Sequence, residues 1–249
     1  MGQGSRGGVT VWEDFMSFPD DGGLTIVDAD GARYNDLRLS AISGDVNMDC
    51  VSTVGAGIAS FSGAAGAADG INISTAGFKA DDGQMWMECR FKYAAYADAQ
   101  LFVGFQQTLD RDEAVNPFTL SGTTLTANNT GNTWGFYYDT AATTDDFRAA
   151  ASAAGAIKSV SGTLGVRANA TLVADKYVIV YVTVDQSGGG EAWLAVADGV
   201  LKLVDTIPAG TLATNVTLHP VAHLAAQSTG DELMSVDYFA AGGGRSWTA

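Results

Sequence analysis

Glutamate is scarce in this chain: Glu13, Glu88, Glu113, Glu191 and Glu232 are the only five in 249 residues. None has an acidic neighbour two or four residues away within a strand pattern, and Glu232 directly follows Asp231, so those two point to opposite faces. The carboxylate pair that a sandwich glycosidase places across a sugar is therefore missing, and no enzyme activity is expected. Histidine is scarcer still. His219 and His223, in HPVAH, share one strand face at a spacing of four, but no further His or Cys completes a metal set. A Ser-His-Asp arrangement would have to use one of these two, and no G-x-S-x-G elbow accompanies them. Catalytic, cofactor and metal residues are all read as none.

Two cysteines, Cys50 and Cys89, cannot make a disulfide framework, although a single bridge stays open. Cys89 falls inside a strand pattern and reads as a small buried apolar residue. No apolar run is long enough to cross a bilayer, and MGQGSRGGVTVWEDF has no apolar signal core. Membrane is thus not an expected partner, and synthesis in the cytoplasm is the default. Basic residues number 13 against 28 acidic ones, a net charge of -15 that repels nucleic acid. GQGSRGG and SGGGE lack the strand–loop–helix setting of a phosphate loop. DADGARYND (Asp28 to Asp36) lacks the oxygen ligands of a calcium loop and reads as a hairpin turn. Helix is nearly missing too; only DDFRAAASAAG has local helical propensity, as a short helical turn or a loop.

Short apolar strands fill the length, with 31 glycines and 4 prolines between them, so the chain is read as all-β. The organising stretch is Lys176 to Asp205. Tyr177 to Val184 reads as a strand buried on both faces or nearly so, and Asp185 to Gly190 as a turn. Glu191 to Ala197 is a second strand, Asp198-Gly199 a tight turn, and Val200 to Asp205 a third strand. Such a meander must pack on another sheet. Gln84 to Tyr93 alternates, with Met85, Met87, Cys89, Phe91 and Tyr93 on one face and Gln84, Trp86, Glu88, Arg90 and Lys92 on the other. Leu101 to Gln107 is expected beside it, with Gly104 as a bulge or close backbone approach. Ile58 to Phe61 and Ile71 to Ile73 are expected to pair around GAAGAADG. Thr108 to Asn132 is a long polar excursion of the kind that carries binding. Val160 to Val166, Ala170 to Val173, Leu218 to Ala226 and Leu233 to Phe239 read as further strands, Pro220 marking an edge or strand start. Residues 1–8 read as a flexible N-terminal arm, 9–241 as one domain and 242–249 as a C-terminal tail.

EAWLAVADGVLKLVD, preceded by KYVIVYVTVD, resembles a passage of concanavalin A-like (LamG-like) jelly rolls. LHPVAHLAAQSTGDELMSVDYFAAGG looks like that superfamily's final hairpin, and VWEDFMSF, GFKADDGQMWMECRFKY and LFVGFQQ fit its earlier strands. The resemblance implies an antiparallel two-sheet β-sandwich. Within the superfamily the chain is most similar to tailed-phage virion proteins, which implies a capsid decoration (cement) protein. Its partner would be the major capsid protein, its state a homotrimer, and its place the virion surface. The arm residues Gly2, Gln3, Ser5, Arg6 and Val9 are the expected capsid contacts. The alternative is a lectin-like, carbohydrate-binding module that stacks sugars on Trp86, Trp134 and Trp193.

Overall fold

A computed structural model describes residues 8–15, 24–26, 32–42, 45–50, 57–63, 70–94, 99–109, 116–121, 124–140, 147–160, 172–197, 199–226 and 234–244. Twenty strands run through them: β1 (Gly8–Glu13), β2 (Leu24–Ile26), β3 (Ala32–Tyr34), β4 (Leu37–Ile42), β5 (Val46–Cys50), β6 (Ala59–Gly63), β7 (Gly70–Ser74), β8 (Phe78–Lys79), β9 (Met85–Tyr93), β10 (Ala99–Gln106), β11 (Phe118–Ser121), β12 (Thr124–Ala127), β13 (Thr133–Asp139), β14 (Arg148–Ala153), β15 (Ala156–Val160), β16 (Val178–Val184), β17 (Gly190–Ala195), β18 (Lys202–Ile207), β19 (Thr217–Ala226) and β20 (Met234–Gly244). Helix among these residues is limited to one 3₁₀ turn, Ala80–Asp82.

Sheet I runs β18-β17-β16-β9-β20-β6-β5-β2, with β1 beside the second half of β20. Sheet II runs β15-β14-β13-β10-β19-β7-β4-β3, with β8 on β19. Every pairing is antiparallel, and β11 and β12 form a separate hairpin. The sheets face each other through alternate residues. Met85, Met87, Cys89, Phe91, Val180 and Val182 come from sheet I; Leu101, Val103, Phe105, Trp134, Phe136 and Leu224 come from sheet II. Burying each such large side chain stabilises by roughly 1.5–3 kcal/mol. Cys89 carries a free thiol in this core, and burial pushes its pKa up; the Cys50 side chain lies outside the described residues.

The meander stands as expected, β16-β17-β18, but β16 alternates: Val178, Val180 and Val182 are buried while Ile179 and Tyr181 are half-buried. Strand partners differ more. β10 lies in sheet II between β13 and β19, whereas β9 is flanked by β16 and β20 in sheet I. Likewise β6 and β7 fall in opposite sheets, and so do β19 and β20, which therefore form no final hairpin. In a sandwich, consecutive strands often cross between layers, because each sheet needs a neighbour to cover its apolar face. Within DDFRAAASAAG, Arg148–Ala153 is strand β14, with Ala149 and Ala151 in the same core as the stacked rings of Phe136 and Phe147, while residues 145–146 lie outside the described ones. Pro220 sits mid-strand in a central position. Its ring nitrogen, which donates nothing, falls where β7 has ended at Ser74 and β8 has not yet begun.

The hairpin expected in Asp28 to Asp36 turns at Asn35-Asp36, between β3 and β4, with Asn35 at φ 52°; residues 28–31 lie outside the described ones. Gly104 makes the expected close approach. It faces Gly135 across β10 and β13, and a Cβ on it would stand 2.5 Å from the Gly135 Cα. The sandwich also runs past both expected ends. Gly8 pairs with Gly244 and Thr10 with Gly242, so part of the glycine-rich tail is strand. Val9, expected as an arm contact, packs on the sandwich's own core, while Gly2, Gln3, Ser5 and Arg6 lie outside the described residues.

Candidate functional site: the outer face of sheet I

Alternation that buries Met87 and Val180 necessarily turns their neighbours outward. Following the register across six strands gives one continuous row on the outer face: Leu203, Trp193, Tyr181, Glu88, Ala240 and Trp12. At about 4.8 Å per strand the row is roughly 24 Å long. Trp12 and Leu203, at its ends, are 58% and 47% exposed. The next row along the strands is Glu191, Thr183, Trp86, Gly242 and Thr10.

The rings are held rather than loose. Trp12 stacks on Tyr238 with centroids 5.1 Å apart and planes 15° from parallel. Trp86 leans on Tyr181 at 6.4 Å and lies against Gly242, where a Cβ would come within 2.7 Å of the indole nitrogen. Trp193 Nε1 donates to Glu191 Oε2 at 3.0 Å. Tyr238 is aimed by a β-bulge: Val236 pairs with Phe91 and Tyr238 with Arg90, leaving Asp237 as the extra residue. The bulge turns Asp237 and Tyr238 outward together. Asp237 then pairs with Arg90, and the Tyr238 hydroxyl donates to Glu88 Oε1. Burial, with the Glu88 hydrogen bond next, pushes the Tyr238 hydroxyl pKa up. Burial followed by the charges of Glu88 and Glu191 does the same to Tyr181, so both carboxylates act on one ring.

Toward the other end of the strands the face turns basic. The Arg90 guanidinium lies 3.8 Å above the Tyr177 ring centroid, with Lys92 Nζ at 5.4 Å. Beyond the Glu191 row the sheet opens into a cleft of 260 Å³ lined by Gln84, Thr183, Asp185, Gly190, Glu191, Thr206 and Ile207. Asp185 caps the turn there by accepting from Ser187 Oγ, Ser187 N and Gly189 N, which holds its carboxyl below the usual range.

Of the three tryptophans expected to stack sugars, the structure brings Trp86 and Trp193 onto this face and removes Trp134. Trp134 is fully buried between the sheets, its Nε1 donating to Thr183 O at 3.2 Å. Trp12, Tyr181 and Tyr238 complete the face and were not singled out in the sequence. The alternation of VTVWE, with Val9 and Val11 inward, already places Trp12 outward. The polar excursion 108–132 carries the β11–β12 hairpin, whose Phe118 and Leu120 pack on Phe102, Tyr137 and Ala150 and so cover part of sheet II. Of the histidines, His223 is buried and His219 contacts Thr75 O at 3.4 Å; no cluster of three His, Cys, Asp or Glu occurs among the described residues.

These two antiparallel sheets, packed face to face, form a β-sandwich, and the solved structures with a similar fold include lectins. No family model and no curated protein matches the sequence. Among solved structures, a protein of unknown function from Shewanella oneidensis is similar at TM-score 0.60 and 15% identity, over 98% of this chain and 90% of that one. Peanut lectin is similar at TM-score 0.56 and 12% identity, over 94% and 97%. Lectin I of Ulex europaeus, solved with the methyl glycoside of α-L-fucose, is similar at 0.54 and 12%, over 94% and 98%. At such identities the likeness is one of fold.

Proposed function

We propose that the chain is a lectin-like carbohydrate-binding module whose ligand lies along the outer face of sheet I. The observation that carries this reading is the open aromatic row. Trp193, Tyr181 and Trp12 occupy one line across the sheet, Trp86 flanks it, Glu88 stands in the line between Tyr181 and Trp12, and Glu191 stands beside Trp193. A pyranose has an apolar C–H face and a rim of hydroxyls. Rings supply the first with a partner, and carboxylates accept from the second. Pre-set rings also lose little entropy on binding. The lectin fold of the similar structures supports the same reading.

The test is retention on a polysaccharide or glycan array, with Trp193→Ala and Trp86→Ala as variants. Each should weaken binding about tenfold, the equivalent of ~1.4 kcal/mol of lost ring contact. Undiminished binding by both variants would move the site elsewhere.

A second reading keeps the virion role as a trimeric decoration protein on the major capsid protein. It is supported by strand β1, which pairs only with β20 among the described residues and presents Trp12 next to that unpaired edge. An edge of this kind needs cover, and the -15 charge suits a basic lattice. Co-sedimentation with capsid shells, weakened by salt and by deletion of residues 1–7, is the expected result. A monomer that never sediments with shells would end it.

A further inference from the structure

Resting on the carbohydrate reading, we infer that Glu88 and Glu191 make the face selective for amine-bearing sugars over neutral ones, and for neutral over anionic ones. The charges on the face are segregated. Arg90 is already paired with Asp237 and, like Lys92, lies over Tyr177, to one side of the aromatic rows. Across the two rows that hold Trp193, Tyr181 and Trp86, the only formal charges are the two carboxylates. They stand on opposite sides of Tyr181: Glu88 is its partner on β9, and Glu191 lies one row along on β17.

Each carboxylate is fixed by one donor, Tyr238 Oη on Glu88 and Trp193 Nε1 on Glu191. An ionised carboxylate accepts at about four positions, so both retain capacity toward a ligand. A ring stacked on Tyr181 therefore has acceptors on two sides. A protonated amine there gains charge-assisted hydrogen bonds and lies over aromatic faces that favour cations. A uronate or sulfate would face two like charges with no free cation in the rows, under a net charge of -15.

The experiment compares three oligosaccharides of equal length at physiological salt: deacetylated chito-oligosaccharide, its N-acetylated form, and oligogalacturonide. The wild type should bind them in that order. Glu88→Gln with Glu191→Gln keeps the shape and both donors but should shrink the amine-to-acetyl affinity ratio about tenfold and raise relative uronate binding. Glu191 is exposed, so Glu191→Gln alone retains the fold and should shift the ratio by a smaller factor. If none of the three oligosaccharides nor any array glycan binds the wild type, the carbohydrate reading itself fails. If they bind without this order, or the order persists in the double variant through net charge alone, the carboxylates do not select and this inference is overturned.

Discussion

The two outer faces of the sandwich differ in composition and, in the opposite sense, in cover. Across sheet II the register lines up Ser40, Asn72, His223, Phe102, Tyr137 and Arg148, a row with more polar groups than aromatic ones. All six are buried. Across sheet I the matching row is mostly aromatic and apolar, yet its ends are among the exposed large hydrophobic side chains of the described residues. The polar face is thus the covered one and the apolar face the open one, the reverse of what composition would suggest. The difference teaches that cover decides which face is available. Phe118 and Leu120 of the β11–β12 hairpin seal part of sheet II, and the Tyr137 hydroxyl is satisfied internally by Asp139, which also accepts from Gln100. No described segment lies over Trp12.

The sharpest way to break this comparison is to empty the covered face. Phe102→Ala removes a ring packed against Phe118 and should cost about 3–5 kcal/mol, lowering Tm by roughly 10 °C. An unchanged melt would mean that the hairpin does not seal sheet II. Next comes His223, whose burial lowers its pKa from 6.5 to about 4. The unfolded chain takes up its proton near pH 6.5 and the folded one only near 4. Stability should therefore fall as pH drops through that window, by about 3 kcal/mol in all. His223→Gln should lack that part of the acid slope in denaturant titrations at pH 7 and pH 4; equal slopes would contradict burial of the neutral ring.

Smaller effects belong to the open face. Gly242→Val must push Trp86 off the sheet, so under the proposed carbohydrate function binding should drop about tenfold while stability falls by only ~1 kcal/mol. A loss of stability without loss of binding would show that the ring's pose is immaterial. Smallest is Trp12→Ala, which forfeits one stacked pair and should change stability by about 1 kcal/mol or less. A loss as large as that of Phe102→Ala would mean that both faces are structural.

Much of the strand pattern was legible. The alternation of Met85 to Tyr93 named the buried face of β9 and, by the same token, put Trp86 and Glu88 outside. The meander was legible because its turns are short and glycine-rich. Partnership was not. Period-two alternation says which side of a strand is apolar, but not which of two layers the strand joins, so β10 and β7 were matched to the wrong sheet. Alanine-rich β14 read as a possible helix because propensity is weak beside tertiary packing. Trp134 failed as a site residue for a related reason: TWGFYYD is aromatic on both faces, and all seven residues are buried. The bulge at Asp237, which aims Tyr238, left only the triplet V-D-Y as its trace.

The pairing of Gly8 with Gly244 has a practical side. Both ends of the described chain emerge at one corner of sheet I, two residues along β20 from the Gly242 on which Trp86 rests. A short linker would suffice to splice those ends together, and new ends could be opened at the exposed Val200 loop. By the same geometry, a bulky group joined directly to Gly8 or Gly244 would stand beside Trp86 and shade that side of the face, leaving the Trp193 side in the clear. Immobilising the chain through a cut at Val200 would do the opposite.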